Sequence, residues 1–274
     1  MRVFIINLPK SVERLQFQKE QMARLGLSCD FIPAVSTDDF SDEYYEQNAM
    51  GWERPLRKTE LACFMSHKRA WESVLATSAP ALILEDDALL SRHTLKLLDD
   101  LDKRDDYDLV TLEVRGRRKV LGKTKPLNAS YALTELYQDR TGAAAYVLRQ
   151  SGAKILLDKA KETPPGLADA FISSTYALKA FQVEPAAAIQ LDQCGAYNIP
   201  SPIGTASVID SEAKPVKRNL TLSDKLSFKM RRIASQIRMG IRQLKVLFSA
   251  KRRNVNVRKE DFADTQATKQ PLPA

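Results

Sequence analysis

The stretch Leu82–Ile83–Leu84–Glu85–Asp86–Asp87 decides how this chain is read. Three apolar strand formers run directly into three carboxylates. An unbroken apolar run suits a strand buried on both faces, as in a parallel sheet. The acids then fall at the carboxyl end of that strand, where open α/β sheets bind their ligands. Adjacent carboxylates repel one another unless a cation lies among them. Oxygen ligands of this kind suit Mg2+ or Mn2+, with phosphate oxygens completing the coordination. One reading is therefore a metal site that holds a phosphorylated donor. The other is a helix cap, because a helical pattern follows Ala88–Ser91 and acids favour helix N-termini. A single acid would serve a cap, and three exceed that need.

The surrounding chain is long enough for a substantial core. It has 274 residues, 44% of them hydrophobic, which fits one large domain or two small ones. Cys29, Cys63 and Cys194 are odd in number, widely spaced and free of any CxxC pair. That argues against a disulfide framework or a zinc site and for a reducing compartment. The opening Met1–Asn7 is too short for a secretory signal, and no apolar run reaches the ~20 residues of a membrane span. A cytoplasmic protein is the expectation. The net charge of +8 is uneven: residues 217–253 carry +11, leaving −3 for the rest.

Val3–Phe4–Ile5–Ile6 reads as a first strand that ends at Asn7–Leu8–Pro9, since Pro breaks a ladder. Ser11 can cap a helix whose inward stripe is Leu15, Met22 and Leu25, and Cys29–Val35 follows as a second strand. This β-α-β opening argues for a parallel sheet. Lys10 and Arg14 lie at the strand-to-helix turn, where phosphates dock on free N–H groups, though on composition solvated surface charge is the commoner explanation. Residues 38–58 look irregular, an excursion over the sheet edge. Thr59–Glu60 opens a helix on which Cys63, His67 and Trp71 share a face at steps of four. His67 reads first as a structural hydrogen-bonder, with Ser66 beside it. Tyr107–Glu113 is a further strand, and Arg115–Lys125 a basic loop after it. Tyr131–Tyr137 alternates like an edge strand. Gly142–Ala145 is small enough for a ligand or a second backbone to approach. Asp169 begins a helix and reads first as a residue of its opening turn. Val183–Leu191 is the last strand of the main domain, set at 1–205.

After a linker at 206–220, residues 221–253 form one helical pattern. Leu222, Leu226, Met230, Ile233, Ile237, Ile241, Leu244 and Phe248 recur at steps of four and three, flanked by Lys and Arg. A basic amphipathic helix suits an anionic membrane surface, where each basic residue adds about 1 kcal/mol. Packing onto the domain or onto a partner helix is the alternative. No nucleic-acid motif or aromatic interleaving accompanies the charge, so nucleic acid is not expected. Residues 254–274 are polar, end in Pro-Leu-Pro-Ala, and read as a disordered tail.

Taken in order, several of these pieces resemble glycosyltransferase family 25, the lipopolysaccharide group. They are Val3–Asn7–Leu8 with Arg14, Glu60–Ser66–His67 with Trp71, Ala81–Glu85–Asp86–Asp87–Ala88, and Gly142–Tyr146 with Gly152–Ala153. Pro164–Asp169 matches more loosely, and the set covers roughly residues 1–192. The resemblance implies a GT-A-like, Rossmann-like α/β fold with a mostly parallel sheet. It implies a UDP-sugar donor, UDP-galactose foremost, with Mn2+ or Mg2+. Asp87 would bind the metal with Glu85, and Glu85 or Asp86 would assist at the metal or the ribose. Asn7 and Arg14 would line the nucleotide side, and Ser66 and His67 the cleft. The reaction would invert the sugar, with Asp169 the first candidate for the base. The acceptor would be a lipid-linked glycan at the inner face of the cytoplasmic membrane. A Mg2+-dependent nucleotidyl- or phosphotransferase is the rival enzyme, although no GxxxxGK[ST] loop occurs. A non-catalytic polybasic membrane adaptor is the rival without chemistry.

Overall fold

A computed structural model describes residues 1–139, 142–204 and 220–266. The first half runs β1 (Arg2–Asn7), α1 (Val12–Leu25), β2 (Asp30–Pro33), α2 (Asp42–Ala49), α3 (Lys58–Leu75), β3 (Ala81–Glu85) and β4 (Ala88–Leu90). Then come α4 (Thr94–Asp102), β5 (Leu109–Thr111), β6 (Lys119–Pro126), β7 (Ala132–Gln138), β8 (Ala145–Leu148) and α5 (Gln150–Glu162). The last part holds α6 (Ala168–Ser173), β9 (Ala180–Glu184), β10 (Ala188–Gln190), α7 (Leu222–Lys245) and β11 (Lys251–Arg253). Short 3-10 helices cover Leu191–Tyr197 and Lys259–Gln266.

Nine strands form one sheet in the order β11-β6-β7-β9-β5-β8-β3-β1-β2, and β10 pairs with β4 apart from it. β1 lies between β2 and β3, parallel to both, as the β-α-β opening requires. β8 then inserts antiparallel between β3 and β5. β9 returns parallel to β5, and β7, β6 and β11 follow as antiparallel neighbours. Six strands thus point one way, while β8, β7 and β11 point the other. The shared direction agrees with the parallel expectation, and the inserted strands make the sheet mixed.

The run Ala81–Leu84 is fully buried because helices cover both faces of the sheet. Leu82 and Leu84 join Val3, Ile5, Met22, Leu97 and Leu101 on one side. Ala81 and Ile83 join Phe4, Ile6, Phe64, Trp71, Leu156 and Phe171 on the other. Alternate residues of one strand therefore feed two cores, which is why the sequence shows no polar alternation there.

Several expectations need correction. Residues 38–58 include the helix α2, capped by Ser41, whose hydroxyl accepts the Tyr44 N–H. The basic loop at 115–125 is largely the strand β6. Its Lys119 is buried, with the ammonium on Glu113 O (3.0 Å), Gln182 Oε1 (2.6 Å) and Asp139 (2.6 Å). β7 is interior, between β6 and β9. Ala88–Leu90 is a strand rather than a helix approach, because its partner Ala188–Gln190 is distant in sequence. The expected last strand splits into β9 and β10. The C-terminal helix stops at Lys245, and Lys251–Arg253 instead extends the sheet beside β6. Residues 254–266 are ordered too, with Val255 and Phe262 buried in the core beside Leu121 and Ile189. The structured domain therefore draws on the chain well beyond residue 205. Most of the expected linker (206–219 of 206–220), Thr205 and residues 267–274 lie outside the described residues.

Two buried glutamines of α1 hold the turn between β3 and β4. Gln18 donates to Asp86 O (3.1 Å) and Ala88 O (2.9 Å), and Gln21 donates to Ala88 O (2.9 Å). Gln21 Oε1 accepts the Leu90 N–H at 2.8 Å. Leaving a buried backbone donor or acceptor unpaired costs about 1–3 kcal/mol. Gln21→Leu should therefore lower stability in urea unfolding by about 1–3 kcal/mol, whereas Gln16→Leu, at an exposed position of the same helix, should change it little.

Candidate active site

The parallel register of β1 and β3 brings Asn7 and the acids to the same edge of the sheet. Around that edge lies an open cleft of about 1340 Å³, including its solvent-filled mouth. Its walls include Lys10, Ser11, Arg14, Cys63, Ser66, His67, Glu85, Asp86, Asp87, Arg115, Gln190 and Asp192. Of the site residues expected from sequence, all but Asn7 and Asp169 line this cleft, and Asn7 reaches it through Asp86.

Each acid has a different environment. Asp86 is consumed by its neighbours: it accepts Asn7 Nδ2 at 2.8 Å and Arg14 at 2.9 Å. Glu85 accepts the ring of His67 at 3.0 Å through one oxygen, and Gln190 Nε2 at 3.2 Å through the other. Burial alone would raise the Glu85 pKa, but the His67 hydrogen bond and the charges of Arg115 and Arg14 hold it below its ordinary value. Asp87 has weaker partners, with Arg14 at 3.6 Å and Gln190 Nε2 at 3.5 Å. Burial and the neighbouring Glu85 charge push its carboxyl up to about 7.

His67 is fully buried and belongs to a chain of hydrogen bonds. Trp71 Nε1–H donates to the Tyr146 hydroxyl at 2.9 Å, and that hydroxyl lies 3.0 Å from His67 Nδ1. With its oxygen already accepting from Trp71, Tyr146 has one proton to give, to Nδ1. In the neutral imidazole the proton then sits on Nε2 and points at Glu85. The expected roles divide accordingly: both ring nitrogens of His67 are committed, so it orients Glu85. Ser66 is committed as well, since its hydroxyl accepts the Val35 N–H (2.8 Å) and donates to Ala62 O (2.8 Å).

Two cleft residues were not singled out from sequence. Gln190 bridges Glu85 and Asp87, and its carbonyl oxygen accepts from Arg115, which fixes which way the amide faces. Arg115 also pairs with Asp192 at 2.6 Å. The sequence signal for Arg115 is its place after a strand end, where a solvated charge run is the commoner explanation.

The donor chemistry of the cleft fits a divalent cation. Glu85 Oε2 and Asp87 Oδ1 converge on a single N–H donor, the Gln190 amide, so both carboxylates face one point where positive charge is favoured. Cys63, His67 and Glu85 also bring ligand atoms within 4.8 Å of one another. Burial pushes the Cys63 thiol well above its ordinary range, however, and His67 has no free nitrogen. The oxygen pair is the better cation site.

Asp169 lies apart, in an adjoining cavity lined by Thr111, Tyr146, Ile172, Tyr176 and Arg242. At the start of α6 it accepts its neighbour's N–H, Ala170, at 2.7 Å. Burial, opposed by that bond, raises its pKa above the ordinary value. The small run before β8 serves a close approach to another buried acid: Gly142 has φ +63, and a Cβ there would sit 2.4 Å from Glu113 Oε2.

An α/β sheet with a charged cleft at the carboxyl ends of its strands has the layout of a ligand-binding α/β protein. Residues 1–172 match the family Glycosyltransferase family 25 (LPS biosynthesis protein), and the chain belongs to that family. It is 27% identical over 176 residues to a "Glycosyltransferase 25 family member" of Aedes aegypti, covering 57% of this chain and 28% of that protein. It is 27% identical over 177 residues to the lacto-N-neotetraose biosynthesis glycosyltransferase LgtE of Neisseria gonorrhoeae, covering 60% and 62%. Procollagen galactosyltransferase 1 of Danio rerio matches at 26% over 251 residues, covering 77% and 40%. The chain thus spans between about a quarter and two thirds of the length of these relatives. Among solved structures, the apo-form glycosyltransferase GlyE of Streptococcus pneumoniae aligns with a TM-score of 0.34 at 10% identity, covering 93% of this chain and 64% of that one. A likeness at that score carries no weight here.

The raised Asp87 carboxyl sets a pH dependence. Its folded pKa of about 7 exceeds its ordinary 3.8, so its contribution to stability is fully present below pH 3.8 and is lost as pH rises through about 7. Asp87→Asn mimics the protonated acid. In thermal melts without added cation it should stabilise the protein at pH 8 and have little effect at pH 4. Mn2+ should raise the wild-type melting temperature at pH 8 and leave that of the variant unchanged.

Proposed function

We propose that this protein is a metal-dependent, inverting glycosyltransferase. It would move a sugar, galactose from UDP-galactose first among candidates, onto a lipopolysaccharide or lipooligosaccharide acceptor. It would work as a peripheral protein on the inner face of the cytoplasmic membrane. The observation that carries this reading is the convergence of Glu85 and Asp87 on one point at the head of β3, beside the N-terminus of α1. Family membership supports sugar transfer, and relatives named for lacto-N-neotetraose biosynthesis and galactosyl transfer support the choice of substrates.

Glu85 and Asp87 would hold the cation, with His67 and Tyr146 fixing the orientation of Glu85. A bound divalent ion neutralises charge that grows on the leaving diphosphate. The N-terminus of α1 would favour the phosphates through its dipole, and Lys10 and Arg14 add positive charge on the same wall. Asn7 and Arg14 hold Asp86 in place, which shapes the nucleotide side of the cleft. Asp169 would take the proton of the acceptor hydroxyl. As that oxygen bonds to the anomeric carbon, the bond from that carbon to the β-phosphate oxygen breaks and UDP leaves. Attack opposite the leaving group inverts the centre. The raised pKa of Asp169, and the one hydrogen bond its carboxylate makes among the described residues, suit a proton acceptor.

UDP release from a panel of UDP-sugars, with Mn2+ and detergent-solubilised lipooligosaccharide, tests the reading. One sugar should be turned over with metal, and Asp87→Ala should abolish that turnover. Asp169→Asn should lower kcat by about 10²–10⁴-fold while UDP-sugar binding persists. No turnover of any UDP-sugar, with no binding of UDP, would overturn the reading. Consumption of a nucleoside triphosphate instead would move it to phosphoryl or nucleotidyl transfer.

A further inference from the structure

Helix α7 is mounted on the domain the wrong way round for a soluble protein. Its hydrogen bonds to the domain come from its polar face. Arg231 donates to Met50 O (2.6 Å) and Trp52 O (3.2 Å), and Arg232 to Glu53 O (3.4 Å). Arg242 donates to Tyr137 O (2.5 Å) and Tyr176 O (3.3 Å), with its guanidinium over the Tyr176 ring at 4.6 Å. Met239 sulfur receives the Gln138 amide, and Phe228 on the same side is buried. At about 100° per residue these positions cluster opposite Leu222, Leu226, Met230, Ile233, Ile237, Ile241 and Leu244. That apolar stripe faces outward: Leu226 is 60% exposed, Ile237 56%, Leu244 70%, and Phe248 just beyond the helix is fully exposed.

The flanks of the stripe are cationic. Lys225 and Lys229 border one side, Arg238 and Lys245 the other, all exposed and without an ion pair among the described residues. Asp224 is the one acid of the helix, and it is used in the cap with Thr221. A second copy of this chain would set lysine against lysine and arginine along the seam, where like charges oppose association. A layer of anionic headgroups over acyl chains matches both features together. The lysine and arginine stems run along the apolar boundary while their charges meet phosphates. No helix among the described residues is long and apolar enough to cross a membrane, so the helix would lie in the interface plane.

We propose that the outward stripe of α7, continued by Leu247 and Phe248, is a docking surface for an anionic lipid bilayer. The proposal rests on the transferase reading for one point only, the value of being at a membrane. Arg242, which ties α7 down, also lines the cavity that holds Asp169. The docking surface is thus built onto a wall of the cavity where an acceptor would react, so a lipid-linked glycan would reach that cavity from the bilayer side.

Flotation of the full chain tests this. Vesicles of phosphatidylcholine with about 30 mol% phosphatidylglycerol should carry the protein up, pure phosphatidylcholine should carry far less, and salt should weaken the binding. The double variant Ile233→Glu, Ile237→Glu should reduce the bound fraction roughly tenfold or more. Its melting temperature should match wild type, because both side chains are exposed. Lys225→Glu with Lys229→Glu should lower binding and flatten its salt dependence. Wild-type protein that stays unbound to anionic vesicles, or binding indifferent to the Ile233 and Ile237 changes, overturns the proposal. So does a solution dimer that the double variant converts to monomer, which would assign the stripe to self-association. UDP release with a water-soluble acceptor oligosaccharide separates the two readings. Turnover without vesicle binding removes the docking surface alone, and vesicle binding without turnover removes the transferase alone.

Discussion

The site depends on keeping three consecutive carboxylates at the end of a strand that is dry on both faces. Their mutual repulsion and the cost of burying charge both act against the fold. The protein answers each acid separately. Arg14 pairs with Asp86 and Asn7 donates to it, though burial still raises its pKa, and His67, braced by Tyr146 and Trp71, hydrogen-bonds to Glu85. Asp87 receives least, and its carboxyl rises to about 7. A site that bound its own carboxylates completely would have nothing left for a cation. One that bound none would not fold. The unequal distribution leaves one under-compensated acid facing the cleft, with its neighbour Glu85 turned toward the same point.

That distribution needs rigid backbone under the acids. The turn after β3 gets it from inside the protein, through the amides of Gln18 and Gln21, both fully buried. Glutamine suits the task because one side chain offers both a donor and an acceptor to the backbone. The price is desolvation of two amides, which their hydrogen bonds to Asp86, Ala88 and Leu90 offset. Backbone placement and charge placement are thus set by the same helix, since α1 also carries Arg14.

What the sequence displayed follows from the range of the interactions involved. The apolar run at 82–84, the β-α-β opening and the helical face of Cys63, His67 and Trp71 are local patterns, and the structure contains each of them. Gln190 touches Glu85 across 105 positions and Arg115 reaches Gln190 across 75, so neither contact leaves a periodic trace. β4 and β10 are three-residue strands that exist by pairing with each other, too short for alternation to be read. Lys119 sits in a basic run that sequence alone does not distinguish from solvated charge. Its burial depends on a carbonyl, an amide and a carboxylate that three separate segments bring to it. The tail beyond residue 254 is too polar to suggest a core, yet Val255 and Phe262 are buried beside Leu121 and Ile189.

Helix α7 shows the limit from the other direction. Its amphipathic period was plain in the sequence, and so was its cap at Thr221. Amphipathicity gives two faces without saying which one meets the protein, and the usual assumption is that the apolar face turns inward. Here carbonyl oxygens of Met50, Trp52, Glu53, Tyr137 and Tyr176 receive the arginines instead. Arginine favours that arrangement, because its planar head donates to several carbonyls and also stacks over aromatic rings such as Tyr176. The helix is therefore held by polar contacts at a surface that needs no apolar partner, which frees its apolar stripe. An exposed row of Leu, Ile and Phe costs solubility in water and gains free energy only where apolar area is removed from it. The fold has placed that row outermost and bordered it with cations that have no ion pair among the described residues, the two features from which the proposed docking surface is argued.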